Sequence, residues 1–275
     1  VMHLLYSRFW TKVMRDMGMT NSDEPFPSLY NQGIILGPDS QKMSKSRGNV
    51  VDPDELVAKY GADTVRGYLM FIGPWDQGGP FSMTGIEGVS RFYGRMWKLY
   101  TSAAQSNDAP SLEEITRLER ALHQTIERVQ DAYEAFSFNV ALAALMEFSN
   151  TLREMVTTAV VKAPIWEEAL DAALIMLAPI APHITEELWE RRGKPFSIHQ
   201  QAWPTFDADK ARESTFELVL QHNGKVRDRV QAPVGITEED AKALALRSDR
   251  IQEFLGGREP KKVIYVPERL VNIVG

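Results

Sequence analysis

Four successive stripes of apolar residues at helical spacing, from Thr84 to Ala178, leave this chain little freedom of architecture. The first follows Thr84-Gly85-Ile86-Glu87, whose Thr and Glu predict a reciprocal helix cap, and runs through Val89, Phe92, Tyr93, Met96, Trp97 and Tyr100. The second opens with the same signal at Ser111-Leu112-Glu113-Glu114 and continues through Leu118, Leu122, Ile126, Val129 and Tyr133. A third is predicted from about Asn139 to Val156, and a fourth from Pro164 until Pro179 stops it. A stripe of this period is buried only against another, so four of them joined by short connections imply an antiparallel helical bundle. Residues 182–189 add a short helix across its end.

On either side the pattern changes. Before the bundle, residues 2–17 read as an amphipathic helix, Ile34–Leu36 as a short strand, and Asp52-Pro53-Asp54-Glu55 as a helix start ending at Gly61, with a second helix behind it. Residues 73–82, rich in Gly and Pro, read as a linker. After the bundle, Phe216–Gln221 and Lys225–Val230 flank His222-Asn223-Gly224, a hairpin with an Asn-Gly turn. Helices from Thr237 and from Ser248 or Asp249, then strands at 262–266 and 270–274, complete a small α/β module. The fold class is therefore mainly α with a small α/β module, in three parts: 1–80, 81–205 and 206–275.

Composition closes several routes to function. The 275 residues include no cysteine, which excludes disulfides and thiolate metal sites, and the five histidines are scattered without ligand spacing, so no metal site is expected. No apolar run approaches the roughly 20 residues that span a membrane. The apolar opening residues soon meet Arg8 and Lys12 without a small-residue cleavage site, so no signal peptide and a cytoplasmic location are expected. A net charge of −6 argues against indiscriminate nucleic-acid binding, so any RNA contact must come from local patches.

Residues 33–53 carry the chemistry. After the strand, Gly37-Pro38 opens a small, polar, basic stretch in which Lys42, Lys45 and Arg47 fall within six residues, separated by Met43, Ser44 and Ser46. A loop folded on itself can aim these cations and two hydroxyls at one point, and the natural target is a polyphosphate. Displacing pyrophosphate from a nucleoside triphosphate builds negative charge on phosphate oxygens, and cations already aimed at that charge stabilise it. Lysine suits the task because its ammonium is a point charge on a flexible stem.

Lys42-Met43-Ser44-Lys45-Ser46 is letter for letter the KMSKS signature, and with Gly48-Asn49-Val50-Val51-Asp52-Pro53 it resembles the class I aminoacyl-tRNA synthetases. Tyr60-Gly61-Ala62-Asp63-Thr64-Val65-Arg66, Gly85-Ile86-Glu87-Gly88 and Leu177-Ala178-Pro179-Ile180-Ala181-Pro182-His183 resemble further stretches of that family in the expected order. His3-Leu4-Leu5-Tyr6-Ser7-Arg8-Phe9 and the closing hairpin are most similar to its leucyl members. The resemblance implies ATP-dependent activation of leucine and transfer to tRNA(Leu), with ATP and Mg2+ as the nucleotide partners. It implies that Lys45, and next Lys42, are catalytic and bind ATP, with Ser44 and Ser46 shaping the loop, and that His3 lies along the aminoacyl-adenylate pocket. It also implies that residues 1–80 end a nucleotide-binding domain with its stem-contact segment, and that the bundle is of the anticodon-binding kind. No His-x-Gly-His element, no first half of the nucleotide-binding sheet and no inserted editing domain is found, so the chain reads as a carboxy-terminal portion, inactive alone.

The tail has an argument of its own. Lys225, Arg227 and Arg229 alternate along a strand, which predicts a basic stripe on one face, and Arg258, Lys261 and Lys262 enter a later strand. Together they would form a positive surface suited to folded RNA, as the resemblance to leucyl members also implies. Two alternatives remain. A valyl, isoleucyl or methionyl synthetase is one, although a cysteine zinc site or a coiled-coil arm often closes the isoleucyl or valyl members. The other is an RNA-binding protein without catalysis.

Overall fold

Helical periodicity becomes helix along most of the chain, in a computed structural model that describes residues 2–102, 106, 108–212 and 215–275. The described residues divide into two units, one of residues 1–109 and 125–204, the other of 110–124 and 205–275. In chain order the first holds α1 (Met2–Asp16), β1 (Ile34–Leu36), a single 3-10 turn (Lys45–Arg47), α2 (Pro53–Tyr60), α3 (Ala62–Phe71), β2 (Gly78–Pro80) and α4 (Met83–Thr101). Helix α5 (Leu112–Glu134) runs through the division, and α6 (Phe138–Met155), α7 (Pro164–Leu177) and α8 (Pro182–Arg191) complete the first unit.

The stripes meet as their spacing requires. Val89, Phe92, Tyr93 and Met96 of α4 are buried, as are Leu142, Leu145 and Leu152 of α6 and Leu170, Leu174 and Leu177 of α7. A buried Phe, Leu or Met side chain contributes roughly 1.5–3 kcal/mol, so these helices are held by their faces rather than by intrinsic propensity. Tyr133 donates its hydroxyl to the Met176 carbonyl at 2.8 Å, tying α5 to α7.

Two expectations fail here for one reason. Residues 73–82 are not a plain linker, because Gly78–Pro80 pairs in parallel with Ile34–Leu36. A Cβ at Gly33 would lie 2.1 Å from the Gln77 carbonyl carbon and one at Gly78 2.3 Å from the Ile34 oxygen, so only glycine permits this approach. The pairing continues as Phe81 N–H donates to the Leu36 carbonyl at 2.9 Å, leaving Ser82 extended at φ −132. Ser82 therefore caps α4, accepting from the Gly85 amide at 3.4 Å, and the Thr84/Glu87 cap does not form. The Glu87 carboxylate instead accepts from the Tyr60 hydroxyl at 3.4 Å. The Ser111/Glu114 box forms, with Glu114 N–H donating to the Ser111 hydroxyl at 3.1 Å and Ser111 N–H to the Glu114 carboxylate at 2.9 Å.

In the second unit the start of α5 and α9 (Ala208–Ala211) precede a four-stranded sheet of β3 (Thr215–His222), β4 (Lys225–Pro233), β5 (Lys262–Val266) and β6 (Leu270–Val274), with α10 (Glu238–Leu246) and α11 (Asp249–Leu255) between β4 and β5. The order is β4-β3-β6-β5, parallel only between β3 and β6. Leu218, Leu220, Val271 and Ile273 on one sheet face pack with Ala241 and Ala245 of α10 and Ile251 and Leu255 of α11. Asn223 (φ 51) and Gly224 (φ 76) turn the hairpin in the left-handed conformations that a tight primed turn demands.

Candidate functional site

The basic loop is closed by one side chain. Leu36 and Lys42 form an antiparallel bridge, and Gly37 N–H donates to the Gln41 carbonyl at 2.8 Å, so the chain leaving β1 folds straight back. Asn49 then seals the far end: its Oδ1 accepts from Ser44 N–H at 2.8 Å while its Nδ2 donates to the two Asp39 carboxylate oxygens at 3.1 and 3.0 Å. Between these anchors Lys45–Arg47 makes one 3-10 turn, ended by Gly48 at φ 69, and the Ser44 and Ser46 hydroxyls are hydrogen-bonded at 2.8 Å.

The electrostatics follow from that closure. Asp39 is held below the ordinary carboxylate range, first by the Gln41 backbone amide and then by the Asn49 amide. Lys42, Lys45 and Arg47 are exposed, and among the described residues none of them has a carboxylate within ion-pair distance. The loop thus presents three exposed cations without an ion pair among the described residues, Arg47 alone feeling the Asp39 charge at longer range, on an ordered backbone that suits an anion of high charge density. Among the described residues no cluster of carboxylates or histidines could hold a metal by itself. His3 belongs to α1, but its side chain lies outside the described residues. The Asp39–Asn49 closure escapes sequence reasoning, which names the cations and not the amide that orders them.

The tail residues are sorted differently from the predicted stripe. The register between β3 and β4 shifts between Leu220 and Gln221, where Leu220 pairs with Asp228 and Gln221 with Val226, so Arg227 is an extra, bulged residue. A bulge reverses the alternation. Arg227 consequently lies on the helix-bearing side, its guanidinium 4.0 Å from the centre of the Phe254 ring, and Phe254 stacks on His222. Arg229 faces the other side, where it forms an ion pair with Glu217 at 2.5 Å. Arg258 and Lys261 line a cavity of about 260 Å3 with His222, Asn223 and Phe254. Lys225, which pairs with His222, belongs to that same side, whereas Lys262 alternates outward with Val274. The structure therefore brings Arg227, Arg258 and Lys261 beside Phe254, sets Lys225 on the same side of the sheet, and turns Arg229 and Lys262 to the other side.

A third assembly joins two of the signature-like stretches. Asp63, in the first turn of α3, accepts from Ile184 N–H at 2.7 Å and lies 2.8 Å from His183 Nδ1. Arg66 donates to the carbonyls of Pro179 at 3.0 Å and Ile180 at 3.2 Å. An open cavity of about 540 Å3 beside them is lined by Tyr60, Tyr93, Trp97 and His183 among others. The Tyr93 hydroxyl is buried without a hydrogen-bond partner, and burial pushes its phenol well above the ordinary range.

Comparison with known proteins supplies relatives for every part of the chain. Residues 5–77 match the family model of tRNA synthetases class I (I, L, M and V), and residues 117–242 match that of the anticodon-binding domain of tRNA ligase. A leucine-tRNA ligase of Dehalococcoides mccartyi is 51% identical over 274 residues, covering 100% of this chain and 34% of the relative. One from Herpetosiphon aurantiacus is likewise 51% identical over 274 residues, covering 33% of its length. Among solved structures, the ternary LeuRS-tRNA-LeuAMS complex from Agrobacterium radiobacter matches 99% of this chain and 36% of its own, with 34% identity and a TM-score of 0.70. The chain spans about a third of the length of the curated relatives it matches.

Proposed function

We propose, for a chain homologous over its whole length to the leucine-tRNA ligases of class I, that it supplies their signature loop and tRNA-binding parts and acts within a longer enzyme. That enzyme activates leucine with ATP and transfers it to tRNA(Leu) in the cytoplasm. The observation that carries the reading is the loop itself: Lys42, Lys45 and Arg47 stand exposed and, among the described residues, without an ion pair, on a backbone closed by Asn49.

In this reading ATP is the substrate whose phosphates the loop meets, accompanied by Mg2+, which would neutralise part of the phosphate charge. Lys45 places its ammonium on the leaving pyrophosphate as charge develops there, and Lys42 assists from the start of the loop. Ser44 and Ser46 shape the turn that carries Lys45. His3 borders the adenylate. Residues 1–80 are the end of the nucleotide-binding domain with its stem-contact segment, 81–205 an antiparallel bundle of the anticodon-binding kind, and 206–275 a tRNA-binding module. Lys225, Arg227, Arg258 and Lys261 provide that module's phosphate contacts, with Arg229 and Lys262 outside the group around Phe254.

The test is leucine-dependent exchange of pyrophosphate into ATP by the full-length enzyme. Lys45→Ala is expected to slow it about 10²–10³-fold without unfolding the protein, the loss that follows removal of one preorganised donor to developing charge. Unaltered exchange would remove Lys45 from the site. Leucine is expected to be activated in preference to valine, isoleucine and methionine, and the 275-residue chain alone is expected to make no adenylate.

A further inference from the structure

The signature loop belongs to a closed circuit of the chain. Strand β1 runs into the loop, the loop into α2 and α3, and the segment after α3 returns as β2 to pair with β1 along Ile34–Leu36. Whatever fixes α3 therefore fixes both ends of the loop. Two side chains of α3 do so, one helical turn apart, and their charges match the polarity of what they meet. Asp63, its side chain 10% exposed, receives the Ile184 amide and faces His183 at the start of α8, where unpaired backbone N–H groups concentrate positive charge. Arg66 spans the Pro179 and Ile180 carbonyls in the turn between α7 and α8, where acceptors lack helical partners. The carboxylate and the guanidinium thus grip the two polarities of a single turn.

We propose that Asp63 and Arg66 are positioning residues for the signature loop, holding α3 on the α7–α8 turn so that Lys45 meets its phosphate at the correct place. Neither residue touches substrate; they act through the circuit. The arrangement accounts for the presence of Tyr60–Arg66 and Leu177–His183 as paired sequence signals far apart in the chain, 120 residues separating Asp63 from His183. Small displacements suffice for an effect, since an error of about 1 Å in a reacting group costs up to about a hundredfold in rate.

This inference rests on the adenylation reading, and a double-mutant cycle in the full-length enzyme separates the two. Asp63→Asn keeps the shape and loses the charge; Arg66→Gln, at an exposed residue, is the second variant should the first lower the soluble yield. Each is expected to reduce the kcat of pyrophosphate exchange about tenfold with the KM for leucine unchanged, and Arg66→Lys to recover part of the loss. In a Lys45→Ala background the same substitutions are expected to cost less than about twofold, because no lysine remains to be positioned. Equal fold losses in both backgrounds would mean that the clamp serves general stability and would overturn the inference. Unchanged kcat in both clamp variants, with Lys45→Ala still defective, would overturn it while leaving the proposed function standing. Full exchange by Lys45→Ala alone would sink the functional reading and this inference with it.

Discussion

The loop at 37–49 and the basic tail around Phe254 contain similar side chains and treat them in opposite ways. In the loop, hydrogen bonds go to the backbone and to Asn49, and among the described residues no cation forms an ion pair. In the tail two of the arginines are themselves engaged, Arg227 over an aromatic ring and Arg229 on Glu217. The difference teaches that a count of lysines and arginines does not identify a phosphate site. What matters is whether the fold has already satisfied the charge.

The sharpest test of the contrast is functional. Deleting 216–275 from the full-length enzyme should reduce tRNA charging about a hundredfold or more, the scale of losing several phosphate contacts, while leucine-dependent exchange falls far less. Exchanging the tRNA anticodon should matter little. Equal loss of both activities would assign the tail a folding role instead. Next in size is Asn49→Ala, which removes the closure but none of the cations. It should slow exchange about tenfold through misplacement of Lys45, and a wild-type rate would show that order in the loop backbone is irrelevant. Arg227→Ala should raise the KM for tRNA several-fold and leave exchange alone; an effect of the same size from Arg229→Ala would break the sorting imposed by the bulge. Arg229→Ala itself should change stability by less than about 1 kcal/mol, as befits a solvent-exposed ion pair, read as a denaturation midpoint.

The smallest effect concerns pH. Because Asp39 titrates below the ordinary carboxylate range in the folded loop, its contribution is fully present above the unfolded value of about 3.9 and is lost only as pH falls through the lower folded value. Amide exchange at Gln41 and Ser44 should therefore report the same closed loop from pH 7 to about pH 5, with opening confined to more acidic solution. Opening near neutrality would contradict the Asp39–Asn49 geometry.

How much of this was legible depends on the range of the forces involved. The stripes through Phe92, Leu142 and Leu174 were readable because a period of 3.6 is local, and the Ser111/Glu114 cap because its two partners lie three residues apart. The Ser82 cap was hidden because a distant strand, β1, sets the conformation of the residue that starts α4. β2 itself has no strand-like composition; it exists because Gly33 and Gly78 let two backbones touch. The extra residue at Arg227 is equally invisible to a period-two reading, since the alternation is intact in the sequence and broken only by the pairing. At the candidate site the cations of the loop could be named from the sequence, but neither Asn49 as their organiser nor the contacts of Asp63 and Arg66 with the α7–α8 turn could be.

The Asn49 closure also has a thermodynamic side. Fixing one backbone residue costs roughly 1–2 kcal/mol of conformational entropy, and an eight-residue loop that ordered only on meeting its ligand would surrender that sum from the affinity at every encounter. Here Lys42 through Asn49 have given up that freedom when the chain folds, anchored by the bonds of Asn49 to Ser44 and Asp39. Only the stems of Lys42, Lys45 and Arg47 remain to be immobilised by an arriving anion, so the loop can bind and let go without being remade each time.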